Sequence, residues 1–170
     1  MKELKDNQRC YVCGKDNPAG LQVQFEIDHT ARTITGRFTP RREHEGWEGM
    51  VHGGIIATLL DEAMVKLAAH LGEPAVSAEI TVKFKAPVAS GEELVVTGKL
   101  VKKSHRLIEA EATVVKGLIV VAEATGKLLR IYSAEYVYLI TKLFLISSFP
   151  QKRESSHLMN NVLDSGSSPE

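Results

Sequence analysis

The segment His52-Gly53-Gly54 joins an imidazole to two residues without side chains, and a carboxylate, Asp61, follows seven residues after Gly54. The segment stands at the predicted start of a helix, where the first amides have no internal partner and the helix dipole adds positive potential. A ligand oxygen can approach glycine amides closely. This pattern predicts a site for an anion or a polarised carbonyl, and a tight loop that needs glycine is the alternative.

Asp61 has no cationic partner at helical spacing. At about 100° per residue it lies off the apolar face of the predicted helix, near small or apolar residues such as Ala57 and Met64. Glu62 falls on a polar stripe, where it can pair with Lys66 one turn later. A half-apolar carboxylate costs free energy unless a ligand or another chain uses it. Asp61 is therefore the candidate catalytic group, and an exposed position on the helix flank is the alternative.

The two cysteines, Cys10 and Cys13, form one CxxC motif. Two thiolates are half of the four ligands that a structural zinc site takes, and only His44 or a second subunit suggests itself for the rest. A redox pair would need a lowered thiol pKa, usually at a helix N-terminus, which the residues from Gly14 onward do not indicate. Structural thiols are the preferred interpretation, and zinc ligands and a redox pair stay open. No metal is predicted.

Hydrophobic periodicity predicts the elements that position these groups. Apolar residues at a 3.6-residue period predict one long helix over 55–71, which Gly72 and Pro74 end. Strand-like runs cover 21–28, 33–38, 76–85, 94–101, 107–115 and 118–131. Lys116-Gly117 suits a two-residue hairpin turn between the last two strands. One helix and six strands pack as an antiparallel sheet wrapped around the helix, an α+β fold.

Apolar residues also fall on the face of the predicted sheet that points away from the helix. They are Val95, Val101, Leu107, Val115 and Leu129. Such a face, together with open sheet edges, favours pairing between subunits. We therefore expect a homodimer or a dimer of dimers.

Composition excludes several classes of protein. A chain of 170 residues supports one compact domain. Lys+Arg and Asp+Glu both total 21, so the formal net charge is zero and no nucleic-acid partner is expected. The polar N-terminus shows no signal peptide, so a cytoplasmic location is expected. The longest apolar run, 136–149, contains Lys142 and is shorter than the roughly twenty residues of a membrane span.

The chain changes character near Ser133. Residues 1–132 hold the predicted domain, and 133–170 form an atypical C-terminal extension. The extension begins with the apolar run and ends in a Ser-rich tail that is expected to be loose. The tail resembles the peptide that bacterial intergenic repeat DNA encodes when it is translated. Whether the extension is native functional sequence stays open.

Three motifs together resemble one family. The His52-Gly53-Gly54 segment with Asp61 opens the long helix, and Ser77 lies ten residues before Pro87 on the strand after it. Residues 10–21 read CYVCGKDNPAGL, similar to the CxxCGxxNPxGL opening of one branch of that family. Over roughly residues 8–131 the chain resembles the hotdog-fold thioesterases of the 4-hydroxybenzoyl-CoA and PaaI-like superfamily.

The resemblance implies hydrolysis of an acyl-CoA thioester at a dimer interface, without a cofactor. It implies that the backbone amide of Gly54, together with that of Gly53, polarises the thioester carbonyl while His52 orients the thioester. The partner's Asp61 would activate water as a general base, or attack as a nucleophile. Ser77 matches a position that holds this water. An amide donor facing a carboxylate across a shared cleft is chemically coherent.

One position departs from the family pattern. Relatives often carry Asn about six residues before the histidine, and Gly46 stands here. His44 or Glu45 could take over its hydrogen bond, or turnover could be slow. Trp47 could cap an apolar acyl pocket or anchor the loop on the sheet. Basic candidates for contact with CoA phosphates are Lys83, Lys85, Lys102, Lys103 and Arg106, although solvated strand faces are the simpler interpretation.

Two other functions remain as alternatives. A hotdog enoyl-CoA hydratase or dehydratase would use a histidine and a carboxylate at the β-carbon, whereas the helix-entry arrangement fits thioester attack better. A non-catalytic acyl-CoA binding protein is the other alternative, because a fold does not determine its function.

Overall fold

The structure, a computed structural model, describes residues 7–131. Within this range one long helix, α1 (Gly53–His70), packs against a six-stranded antiparallel sheet. The strands are β1 (Gln24–Asp28), β2 (Thr33–Phe38), β3 (Glu45–Trp47), β4 (Met50–Val51), β5 (Ala75–Phe84), β6 (Leu94–Lys103), β7 (Leu107–Lys116) and β8 (Ile119–Arg130). Their order in the sheet is β1-β2-β6-β7-β8-β5, while β3 and β4 form a separate small hairpin.

The core lies between α1 and the concave face of the sheet. The helix side chains that are buried there recur at three- and four-residue spacing, as an amphipathic helix requires. They are Ile56, Leu59, Leu60, Ala63, Met64, Leu67 and Ala68. A sheet wrapped around one central helix is the hotdog architecture of the α+β class, so the fold that the sequence predicts is confirmed.

The predicted helix and all six sheet strands are present, with small differences at their ends. The last hairpin turn is Gly117-Leu118, because Lys116 pairs with Ile119, and not Lys116-Gly117. Gly117 has a φ of +54°, which glycine adopts without strain. The sequence did not predict the β3–β4 hairpin, since two or three residues are too few to show a period.

An ion-pair cluster around one buried carboxylate lies just beyond the C-terminal end of α1. Glu73 is buried, and its carboxylate contacts the Lys103 ammonium and the Arg130 guanidinium. The hydrogen bond from Lys103, with the charge of Arg130, lowers the pKa of Glu73 below its ordinary value of 4.5. The cluster therefore ties the segment after the helix to the C-terminal ends of β6 and β8.

Glu73→Gln is expected to lower the free energy of unfolding by about 2–3 kcal/mol at pH 7, because the half-buried Arg130 loses this counter-charge. A lowered carboxylate pKa stabilises the fold fully above the ordinary pKa, and this contribution is lost as pH falls through the folded-state pKa. Urea denaturation of both proteins should therefore show a difference at pH 7 that shrinks as the pH is lowered below the ordinary pKa of 4.5. A difference that stays constant as the pH falls would contradict this assignment.

The predictions about the extension at 133–170, including its apolar run at 136–149, concern residues outside the described range. The domain boundary near residue 132 therefore stays a prediction. Within residues 7–131, no helix combines the length and the apolar character that crossing a bilayer requires.

Candidate active site

The start of α1 is held by His52, which is its N-cap residue. The Nδ1 atom of His52 accepts a hydrogen bond of 2.8 Å from the Gly54 amide. The His52 amide in turn donates to the His44 carbonyl at 2.8 Å. The Gly53 amide makes none of the hydrogen bonds found within residues 7–131. Of the two glycine amides predicted to bind a carbonyl, only that of Gly53 therefore stands open in this structure.

Gly46, on β3, lies directly against His52. A Cβ atom at Gly46 would stand 2.8 Å from His52 Cδ2, closer than side chains approach one another. A residue such as Asn at this position would push the imidazole off the Gly54 amide. The departure from the family pattern at Gly46 is therefore coupled to the position of His52.

Asp61 lies two helical turns further along α1, half-buried, and one of its oxygens accepts a hydrogen bond from the Ser77 hydroxyl. Ser77 is on β5, one of the two edge strands of the sheet. The strand register shifts between Ser77 and Glu79, and such a bulge re-aims a side chain. The structure thus brings together two of the predicted site residues within one chain.

The two residues that were considered as substitutes for Asn both have structural roles. His44 is buried, its Nδ1 accepts from the Arg41 amide, and burial lowers its pKa because the charged ring is disfavoured there. Glu45 accepts from the Ser90 hydroxyl and from the Gly49 amide, which lower its carboxyl pKa. The Glu45 side chain holds the β3–β4 hairpin, whereas the His44 ring holds the turn before it and packs against Phe38.

An apolar surface adjoins the start of α1. Trp47 is 79% exposed, so the interpretation that it anchors its loop on the sheet is wrong. Met50, its partner in the hairpin, is also exposed. Phe84, at the end of β5, is 56% exposed, and its Cζ lies 3.3 Å from where a Cβ of Gly53 would be. Sequence reasoning missed Phe84, although it completes the alternating apolar run of β5.

The predicted phosphate-binding residues do not gather at one place in the chain. Lys83 is exposed on β5, and Lys85 makes a 2.6 Å ion pair with Glu123 nearby. Lys103 contacts Glu73 instead. Arg106 lies in the β6–β7 turn, next to Leu107. Phe84 pairs with Ala122 on β8 and Leu107 pairs with Leu129, so Arg106 lies roughly 23 Å along β8 from Phe84 at about 3.3 Å per residue. The structure thus leaves Lys83 and Lys85, but not Arg106, at the end of the sheet where α1 begins.

Glu62 and Lys66 both contact the cysteines and are half-buried, so the predicted solvent-exposed setting of these two residues is wrong. The Cys10 Sγ donates to Glu62 Oε2 at 3.5 Å, and Lys66 Nζ donates to Cys13 Sγ at 3.1 Å. Burial, followed by the hydrogen bond to Glu62, raises the pKa of Cys13 to about 12. The folded-back N-terminal segment therefore covers the polar stripe of α1.

Comparisons with known proteins agree with this architecture. The Thioesterase superfamily profile matches residues 48–122, a range that contains His52, Asp61 and Ser77. Acyl-coenzyme A thioesterase 13 of Homo sapiens is 32% identical over 89 residues, which are 51% of this chain and 59% of that protein. The chain thus spans about 59% of the length of this curated relative.

Solved structures share the fold. Protein RHA08564, a thioesterase superfamily protein, is 25% identical with a TM-score of 0.67, over 72% of this chain and 60% of that chain. The PaaI protein of the E. coli phenylacetic acid degradation operon is 22% identical with a TM-score of 0.62, over 67% and 83% of the two chains.

Proposed function

We propose that this chain is a hotdog-fold thioesterase that hydrolyses an acyl-CoA thioester to a carboxylate and CoA. The Thioesterase superfamily profile over residues 48–122 and the similarity to a solved thioesterase superfamily protein support this proposal. The observation that carries the proposal is the Asp61 carboxylate, half-buried and hydrogen-bonded to Ser77 beside the open edge of the sheet. The name of the human relative supports an acyl-CoA substrate.

The proposed reaction uses Asp61 as general base or as nucleophile. As a base, its carboxylate takes a proton from water, the hydroxide attacks the thioester carbonyl, and the CoA thiolate leaves from the tetrahedral intermediate. As a nucleophile, it forms an acyl-enzyme that water hydrolyses. In either case Ser77 orients the carboxylate and holds the water.

The developing oxyanion needs a donor, and the amides at the start of α1 supply it. One such amide contributes on the order of 3 kcal/mol. The Gly53 amide is available at once, whereas the Gly54 amide becomes available only when the His52 ring turns away. When substrate binds, the His52 ring therefore gives up its hydrogen bond with the Gly54 amide and contacts the thioester instead. This contact orients the substrate.

We propose that the working unit is a homodimer, in which the partner's Asp61 faces Gly53 and Gly54 of the first subunit. The edge strand β5 supports this arrangement, because it leaves one ladder of backbone groups unpaired among the described strands. Its apolar side chains Val76, Ile80 and Phe84 are also exposed. The β5 strand of a second subunit, paired to this one, would cover these side chains.

The substrate-binding roles follow from position. Trp47, exposed beside the start of α1, covers the acyl group. Lys83 and Lys85 meet CoA phosphates, and Arg106 does so only from a neighbouring subunit.

A thiol-release assay over a panel of acyl-CoA esters tests the proposal. Hydrolysis of at least one ester, with stoichiometric free CoA and carboxylate, is the expected result. Loss of enoyl absorbance without thiol release would favour the hydratase alternative. Tight acyl-CoA binding with no turnover across the panel would favour a binding protein.

Ser77→Ala is expected to lower kcat about 10- to 100-fold, since a hydrogen bond to a charged group contributes about 1.5–3 kcal/mol. Initial rates of thiol release over a range of substrate concentrations give kcat and KM. Ser77→Thr keeps the hydroxyl and should recover much of the rate. An unchanged kcat in Ser77→Ala would remove Ser77 from the site.

A further inference from the structure

The CxxC motif folds into a tight turn in which one backbone amide points at the sulfur of Cys10. The Gly14 amide donates to the Cys10 carbonyl at 2.9 Å, and the Val12 amide donates to Cys10 Sγ at 3.4 Å. A Cβ at Gly14 would lie 2.5 Å from the Cys10 backbone nitrogen and oxygen, so only glycine fits. The turn therefore places both cysteine side chains on the side of the segment that faces α1, where they contact Glu62 and Lys66.

Helix α1 places a third potential metal ligand, the Glu62 carboxylate, beside the two sulfur atoms. The sulfur atoms of Cys10 and Cys13 and a carboxylate oxygen of Glu62 all lie within 4.8 Å of one another. All three side chains are half-buried. The Lys66 ammonium, 3.1 Å from Cys13 Sγ, shows that a positive charge is accepted beside these sulfurs.

We propose that Cys10, Cys13 and Glu62 bind one zinc ion, which fastens the N-terminal segment to α1. Two thiolates with one carboxylate are a donor set that zinc takes in tetrahedral sites. Binding releases the two thiol protons, and Lys66 moves aside because it repels the cation. A water molecule supplies the fourth ligand, since Cys13 and Lys66 also line an open cleft of about 580 Å³.

The zinc has a structural role. Glu62 follows Asp61 in the chain, but the two side chains point about 100° apart around the helix. The metal therefore stands away from the proposed acyl site and fixes the helical turn that carries Asp61. The inference does not depend on the thioesterase proposal, because its test measures bound metal and not turnover.

The experiment uses the full chain, purified without chelator under reducing conditions. Elemental analysis is expected to find about one zinc per chain, and replacement by cobalt should give thiolate-to-cobalt charge-transfer bands with intense tetrahedral d–d bands. Glu62→Gln should weaken zinc affinity by more than about 100-fold, since loss of an outer-shell partner alone costs 10- to 100-fold. Cys13→Ser should lower the intensity of the charge-transfer bands at least by about half, because only the Cys10 thiolate remains.

Asp16→Asn is the matched control, because Asp16 is an exposed carboxylate in the same segment and its loss should leave zinc content unchanged. Addition of a chelator should lower the melting temperature of the wild-type protein and not that of Glu62→Gln. If Cys13→Ser fails to fold, the cobalt spectrum of Glu62→Gln decides. No bound zinc and no cobalt charge transfer in the wild-type protein, or a Cys10–Cys13 disulfide that forms in place of the metal, would overturn the proposal.

Discussion

Asp61→Asn is expected to lower kcat for acyl-CoA hydrolysis by about 10²–10⁴-fold, the usual contribution of general acid–base catalysis. Asn keeps the size of the side chain, and its carbonyl oxygen can still accept the hydrogen bond of Ser77. It cannot accept a proton from water or form an acyl-enzyme. KM should change little, because the helix amides and the acyl pocket are untouched. Thiol-release kinetics measure both constants.

The control for this variant has to be chosen with care. Glu62 is adjacent in the chain but contacts Cys10, so Glu62→Gln disturbs a second cluster. Glu79→Gln is the better control, because Glu79 is an exposed carboxylate on β5 that pairs with Lys127 at 2.8 Å. A surface ion pair contributes about 0–1 kcal/mol, so its loss should leave kcat near the wild-type value. Equal losses in both variants, or full activity in Asp61→Asn, would remove Asp61 from the mechanism.

The fold could be predicted from sequence because its elements are long enough to show a period. Ten-residue strands such as β5 and β7 alternate visibly, and the 18 residues of α1 complete five turns of an apolar stripe. The β3–β4 hairpin has no such signal. Its shape depends on side-chain contacts, above all those of Glu45 with Ser90 and with the Gly49 amide.

The site was predicted less completely, for two physical reasons. A helical wheel shows which face of one helix is polar, but it does not show which distant segment packs on that face. Glu62 and Lys66 were therefore predicted to lie on the surface, whereas Cys10 and Cys13 contact them. Capping is also invisible to periodicity. From its position in the first turn, the Gly54 amide was predicted to be free, but His52 accepts a hydrogen bond from it.

A heterodimer of Asp61→Asn and Gly54→Pro protomers is expected to recover roughly half of the wild-type activity per dimer, although each variant alone is nearly inactive. Gly54→Pro removes the amide donor, and a Cβ there would stand 2.8 Å from His52 Nδ1, so the imidazole moves as well. Loss of one oxyanion donor lowers kcat about 10²–10³-fold. Two affinity tags isolate the heterodimer, and mass measurement confirms its composition.

Recovery follows from the length of the helix. Gly54 and Asp61 are seven residues apart, about 10 Å along the axis at 1.5 Å per residue, too far for both to reach one carbonyl and its water. If the partner's Asp61 completes each site, the heterodimer holds one site with both groups intact and one with neither. Pairing Asp61→Asn with the double variant Asp61→Asn/Gly54→Pro leaves no intact Asp61, so that heterodimer should stay inactive. Failure of the first pair to recover, in a dimer of verified composition, would place the whole site within a single chain and require a different base to act beside Gly53.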